Sequence, residues 1–220
     1  MFSAYRGANA DLFSMPAAGG AQTRLTSTAA AETAPALSPD GARIAYAYDV
    51  SGVTKVWTMT VSGTGAAQAA PGFGFSGAIE TSPSWAPGSS RLAFISTTRG
   101  SADVYDLTTG GAPVLVAGSS AADVDPAWSP DGDWIAFAST MDGGAAIYRV
   151  PAAGGAAQKL TTDAGDEAEP AWTPDGRLVY VAFGAGGATS LRWMDPAAPD
   201  TTHAIPLPVA GAPRRPAGLP

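Results

Sequence analysis

Six carboxylates stand at fixed distances from a repeated proline. Glu32, Glu80, Asp123 and Glu167 each lie three residues before Pro35, Pro83, Pro126 and Pro170, and Asp125 and Glu169 follow two residues after their acids. On an extended strand, residues two apart share one side, which predicts paired carboxylates in two of the four copies. Like charges gathered in one place raise one another's pKa or recruit a cation or a basic side chain. The bland alternative is that each acid accepts backbone hydrogen bonds in its own turn and faces water.

Other chemistry is sparse. His203 is the single histidine and there is no cysteine, which removes disulfides, thiolate catalysis and zinc sites of the usual kind. Gly74-Phe75-Ser76-Gly77-Ala78 misses the last glycine of a nucleophile elbow, so no catalytic residue is nominated. Gly72-Phe73-Gly74-Phe75-Ser76-Gly77 has phosphate-loop spacing but no helix to follow it, and reads as an accidental match. The formal net charge of −7 argues against nucleic acid and for a partner with basic groups. No apolar run is long enough to span a bilayer as a helix. The first residues, Met1-Phe2-Ser3-Ala4-Tyr5-Arg6-Gly7, lack the features of a secretory signal, which fits a cytosolic chain or a piece of a longer precursor.

The elements that must position the acids follow from the repeat itself. Pro126-Ala127-Trp128-Ser129-Pro130-Asp131-Gly132 returns at Pro35, Pro83 and Pro170, at intervals of 48, 43 and 44 residues. A period in the low forties made of short strands is the signature of a propeller blade. Ser-Pro-Asp-Gly is turn chemistry, in which Asp40, Asp131 and Asp175 are expected to bond their own backbone. Short apolar strands follow each turn, as in Arg91-Leu92-Ala93-Phe94-Ile95 and Trp134-Ile135-Ala136-Phe137-Ala138. A third strand and a weaker fourth close the unit. Trp85, Trp128 and Trp172 share one phase with Leu37; Phe2, Tyr46, Phe94, Phe137 and Tyr180 share another, and both sets are expected in the core between stacked sheets.

These spacings predict an all-β propeller of four-stranded antiparallel blades, about five in number. The units are residues 1–28 (an incomplete first blade), 29–70, 71–117, 118–161 and 162–209, with a Pro/Gly-rich tail at 210–220. The longest interval carries an insertion, Pro71 to Gly77, whose Phe73 and Phe75 either pack on a blade or form a binding surface.

The phrase resembles that of the TolB-like family of β-propellers, relatives of WD-type repeats; Pro126-Ala127-Trp128-Ser129-Pro130-Asp131-Gly132-Asp133-Trp134-Ile135-Ala136-Phe137 matches it throughout. The second copy departs at Ala86, Gly88 and Ser89, which puts that turn's geometry in question. The resemblance implies a periplasmic or extracellular binding platform, or the gating propeller of a serine peptidase of the prolyl-oligopeptidase type whose catalytic domain is absent, with Arg214 and Arg215 near the linker. The expected activity is non-catalytic binding of protein or peptide where Glu32, Glu80, Asp123, Asp125, Glu167 and Glu169 would line the channel mouth. No cofactor is expected, with room left for a cation such as Ca2+ there. The broken first blade suggests a fragment of a larger ring, with self-association through incomplete blades as a consequence.

Overall fold

The computed structural model describes residues 1–5, 7, 9–162, 165–184, 187–199 and 201–206. The tail at 210–220, with Arg214 and Arg215, lies outside them, as do residues 207–209 at the end of the expected fifth unit.

The described residues form five antiparallel sheets and no α-helix. The first sheet holds β1 (Phe2–Tyr5), β2 (Ala10–Ser14) and β3 (Thr23–Arg24). The second holds β4 (Ala31–Leu37), β5 (Arg43–Val50), β6 (Val53–Thr60) and β7 (Ala67–Gln68). The third holds β8 (Glu80–Trp85), β9 (Arg91–Ser96), β10 (Asp103–Thr108) and β11 (Val114–Ala117). The fourth holds β12 (Asp123–Trp128), β13 (Trp134–Ser139), β14 (Ala146–Pro151) and β15 (Gln158–Lys159). The fifth holds β16 (Asp166–Trp172), β17 (Leu178–Phe183), β18 (Thr189–Met194) and β19 (Thr202–Ile205). Within each sheet the strands follow chain order, and the first strands of sheets two to five pack against one another about a common axis. This is a β-propeller of about five blades whose first sheet has three strands where the others have four.

Each turn phrase folds by its own hydrogen bonds. Ser129 Oγ donates to Asp131 Oδ1 at 2.5 Å and accepts from Trp134 N at 2.9 Å, while Asp131 Oδ1 also accepts from Asp133 N at 3.0 Å. Ser38 and Asp40 repeat the arrangement, with Thr173 taking the serine's place beside Asp175. In the divergent second copy the turn is kept: Ser89 N donates to Ala86 O at 2.9 Å, and Ser89 itself takes the positive φ of 56° that glycine takes elsewhere. It is held there by the second sheet, since its hydroxyl accepts from Asp40 N at 3.1 Å and its carbonyl from the Arg43 guanidinium.

Neighbouring sheets meet large against small. Ile135 and Phe137 on β13 face the third sheet, whose Ala93, Val104 and Ala117 lie opposite; Ala136 and Ala138 face Leu178 and Tyr180 of the fifth. The phase-sharing aromatics Tyr46, Phe94, Phe137 and Tyr180 are all buried, each contributing about 2 kcal/mol of apolar burial. Trp85 and Trp128 are also buried, but Phe2 and Trp172 are only half-buried, and Leu37 at the tryptophans' phase is 50 % exposed. The outer side of the fifth sheet differs. Val179, Val181, Leu191 and Ile205 occupy the phases of Ala136, Ala138, Ile147 and Leu160, yet they are part-exposed where those four are buried. Among the described residues no strand of the fifth sheet packs on the first to the extent seen between the other neighbours.

Candidate functional site

The innermost strands carry the acids, and each is broken by the same device. Register shifts fall between Thr33 and Ala36, Thr81 and Ser84, Val124 and Ala127, and Ala168 and Ala171. At each shift the residue before the proline turns left-handed: Ala34 (φ 48°), Ser82 (φ 50°), Asp125 (φ 54°) and Glu169 (φ 54°). These are β-bulges on channel-lining strands. They correct the expectation that Asp125 and Glu169 share a side with Asp123 and Glu167 by strand alternation, because the bulged residue is no longer extended.

The six carboxylates therefore divide. Glu32, Glu80, Asp123 and Glu167 are at most 1 % exposed, so they neither face water nor form an open ring of charge. Each begins its sheet and is turned into the boundary with the preceding one. Glu32 accepts from Thr26 Oγ1 at 3.0 Å and from Thr28 Oγ1, and Thr26 Oγ1 itself accepts from Leu12 N at 2.9 Å. Glu167 repeats this with Thr161 Oγ1 at 3.1 Å, which accepts from Ile147 N at 2.9 Å. Glu80 accepts from Lys55 Nζ at 2.8 Å and Val56 N at 3.4 Å. Burial nevertheless holds the Glu80 carboxyl above its usual range, the lysine opposing it.

Asp125 and Glu169 are the more accessible pair. Glu169 is exposed and Asp125 half-buried. The Asp125 carboxylate accepts from the Glu169 backbone N–H, and burial followed by the Glu169 charge pushes its pKa up. Two carboxylates from neighbouring bulges are thus presented together, where the second and third sheets carry Ala34 and Ser82.

A feature unnoticed in the sequence lies at the other end of these strands. Pro39, Trp85, Pro87, Trp128, Trp172 and Pro174 line one cavity of about 320 Å3. Four successive sheets contribute to it, which places it on the axis. The shared phase of the tryptophans and turn prolines is the signal in the sequence, where the tryptophans read as core and the prolines as turn residues. The indoles are oriented from outside the cavity: Trp85 Nε1 donates to Ala36 O at 3.2 Å and Trp172 Nε1 to Ala127 O at 3.0 Å. Arg43 and Arg91 lie 4.6 and 4.7 Å over the Trp85 and Trp128 rings, each crossing a sheet boundary.

The insertion also resolves into two roles. Phe73 packs edge-on to Tyr105 and Phe94 at 5.0 and 6.0 Å, whereas Phe75 is 56 % exposed. His203 is exposed and stacks on Trp193 at 4.2 Å. No helix among the described residues is long and apolar enough to cross a membrane.

Comparison with solved structures returns propellers. A TolB-type protein of Agrobacterium tumefaciens superposes with a TM-score of 0.72 at 20% identity, over 83% of this chain and 68% of that one. TolB from Acinetobacter baumannii gives 0.74 at 20% identity, over 90% of this chain and 49% of that one. A puromycin-hydrolyzing peptidase of Mycobacterium tuberculosis gives 0.68 at 16% identity, over 87% of this chain and 32% of that one. The chain thus spans about half the length of the Acinetobacter protein and about a third of the peptidase. No curated protein sequence matches it. Residues 72–203, more than half of the chain, match the TolB beta propeller domain, and with the blade architecture they show that the chain belongs to that family.

Proposed function

We propose that the chain is a non-catalytic TolB-type propeller unit, periplasmic or extracellular, that binds a protein or peptide with basic groups on its channel-lining strands. The observation that supports this most directly is the Asp125 and Glu169 pair, set on adjacent bulges with Glu169 exposed. A Lys or Arg side chain of the partner would meet both carboxylates at once, and the net charge of −7 would draw it in. Glu32, Glu80 and Glu167 tie sheets together, and they and the buried Asp123 do not meet the partner. The test is calorimetric titration of a Lys/Arg-rich decapeptide, at low salt, into wild type and an Asp125→Asn/Glu169→Gln double variant. The double variant is expected to bind at least tenfold more weakly; equal binding would overturn the proposal.

The peptidase likeness favours a second reading, in which the chain is the gating propeller of a serine peptidase. A Gly-x-Ser-x-Gly elbow in an α/β-hydrolase domain of the same reading frame would support it, and a reading frame without one would exclude it.

A further inference from the structure

The repeat supplies an internal control for every sheet boundary. At the phase of Leu25, Ala69, Ala117 and Leu160 the outermost strand meets the third strand, and the next residues are Thr26, Ala70, Gly118 and Thr161. Where that residue is threonine, its hydroxyl donates to the next sheet's buried acid, as Thr26 does to Glu32 and Thr161 to Glu167. Where it is Ala70, the third strand offers Lys55, whose ammonium sits 2.8 Å from Glu80. At the third boundary both donors are gone. Gly118 stands at the threonine's phase and Asp103 at the lysine's, so a second carboxylate faces Asp123.

Both acids are fully buried. Among the described residues Asp103 Oδ2, Asp123 Oδ1 and Asp123 Oδ2 have no hydrogen-bond donor in good geometry; the Ser139 hydroxyl and the Ser119 hydroxyl and N–H approach Asp123 and partly offset its burial, which still dominates. Asp103 Oδ1 accepts from Ser101 Oγ at 3.1 Å, and the exposed Arg99 approaches Asp103 Oδ2 only to 3.6 Å. The first boundary also has an aspartate at the lysine's phase, Asp11, but Arg24 meets it at 2.7 Å while two threonines serve Glu32. Buried carboxylates left unpaired are costly, and this boundary offers Asp123 neither the ammonium that meets Glu80 nor the threonine that meets Glu32 and Glu167, so it calls for a cation.

We infer that Asp103 and Asp123, at the boundary of the third and fourth sheets, bind a divalent cation of the calcium class. The donors on offer are oxygens alone: two carboxylates with the hydroxyls of Ser101, Ser119 and Ser139 nearby. Hard, irregular oxygen sets of this kind suit Ca2+, whereas Mg2+ demands a near-ideal octahedron. The loops carrying Arg99 and Ser101 on one side and Ser119 and Ala121 on the other border a cavity of about 710 Å3 next to the pair. Gly118 keeps the approach clear, since a Cβ there would come within 3.1 Å of Asp103 Oδ1. The site lies between blades and is separate from the Asp125 and Glu169 pair.

The experiment is titration of CaCl2 into chelator-treated full chain at fixed NaCl and pH 7, read by calorimetry and by thermal melting. Wild type is expected to bind one Ca2+ with a Kd on the order of 10⁻⁴ to 10⁻³ M, as low-charge extracellular sites do, and to melt higher in Ca2+ than in EDTA. MgCl2 should bind at least tenfold more weakly, and so should CaCl2 to Asp123→Asn. Asp103→Lys rebuilds the Lys55 and Glu80 arrangement, so this variant is expected to fold and to melt at the same temperature in Ca2+ and in EDTA. The inference is overturned by wild type showing no saturable binding, or by either variant keeping the wild-type calcium response. It is also overturned if Asp123→Asn melts higher than wild type at pH 7 while wild type melts alike in Ca2+ and EDTA, which would mean that the pair shares a proton.

Discussion

At the scale of single residues, the same side chain does different work according to what its neighbour sheet presents. The turn aspartates Asp40, Asp131 and Asp175 are held below the usual carboxylate range, first by the Ser38, Ser129 and Thr173 hydroxyls. Glu80, Asp123 and Asp125 are pushed the other way, first by burial. The two groups act oppositely on stability. A raised carboxyl holds its proton more tightly when folded, so its penalty at neutral pH is relieved as pH falls through the folded pKa. A depressed carboxyl contributes stability above its unfolded pKa and loses it as pH falls through the folded one. In EDTA, melting temperature should first rise as pH is lowered from 7, while the raised carboxyls take up protons, and then fall as the depressed ones are protonated. Asp123→Asn should shrink the rise; a wild-type profile that climbs steadily with pH would contradict this assignment. Lys55 gives a sharper test, because Lys55→Met strands the fully buried Glu80. A loss of about 3 kcal/mol is expected from denaturant midpoints, and a loss below about 0.5 kcal/mol would show that Glu80 takes up a proton at little cost.

At the scale of elements, sheets are joined by large aromatics set against alanines and by arginines laid over tryptophans. Arg91 illustrates the economy of the arrangement: its guanidinium covers Trp128, pairs with Asp106 at 2.9 Å and donates to Ala152 O at 2.9 Å. One third-sheet side chain therefore reaches two points of the fourth. The Pro71 to Gly77 insertion is tied down by Phe73, which fills the space beside Phe94 and Tyr105, while Phe75 projects outward. Phe73→Ala should cost about 2 to 3 kcal/mol, somewhat less than a fully buried ring, and Phe75→Ala less than about 0.5 kcal/mol. Urea midpoints measure both. Equal costs would mean that Phe75 is also covered in solution.

At the scale of the whole molecule, the extensive contacts among the described residues run between neighbouring sheets, so stability is to first order a sum of sheet and boundary contributions. The middle sheets have two boundaries and the first and last have one well-packed boundary each. Burial follows: five of the six residues of both β9 and β13 are buried, against three of six in β17 and none in β1. Amide hydrogen exchange should therefore release β1, β18 and β19 first and β9 and β13 last. Uniform protection across all five sheets would show that the fifth and first sheets meet more closely in solution than in this structure.

By itself, the sequence determined the period, the strands and the turns, because that information is local. The Ser-Pro-Asp-Gly bonds close within five residues, as from Ser129 to Trp134, and the short apolar runs that bury Phe94 and Phe137 are each written along a single strand. The recurring acids were legible too, as positions. Their roles were not, for two physical reasons. The bulge that turns Asp125 and Glu169 away from strand alternation is a backbone conformation that a non-glycine residue before proline does not advertise. The partner of each buried acid belongs to the preceding sheet, and its distance along the chain and its type change from copy to copy: Thr26, Lys55, Thr161, and at the third boundary Asp103 with Gly118. Only the stacking of sheets brings those positions together, and so only the tertiary structure decided which carboxylates lock blades, which are accessible and which two are buried side by side.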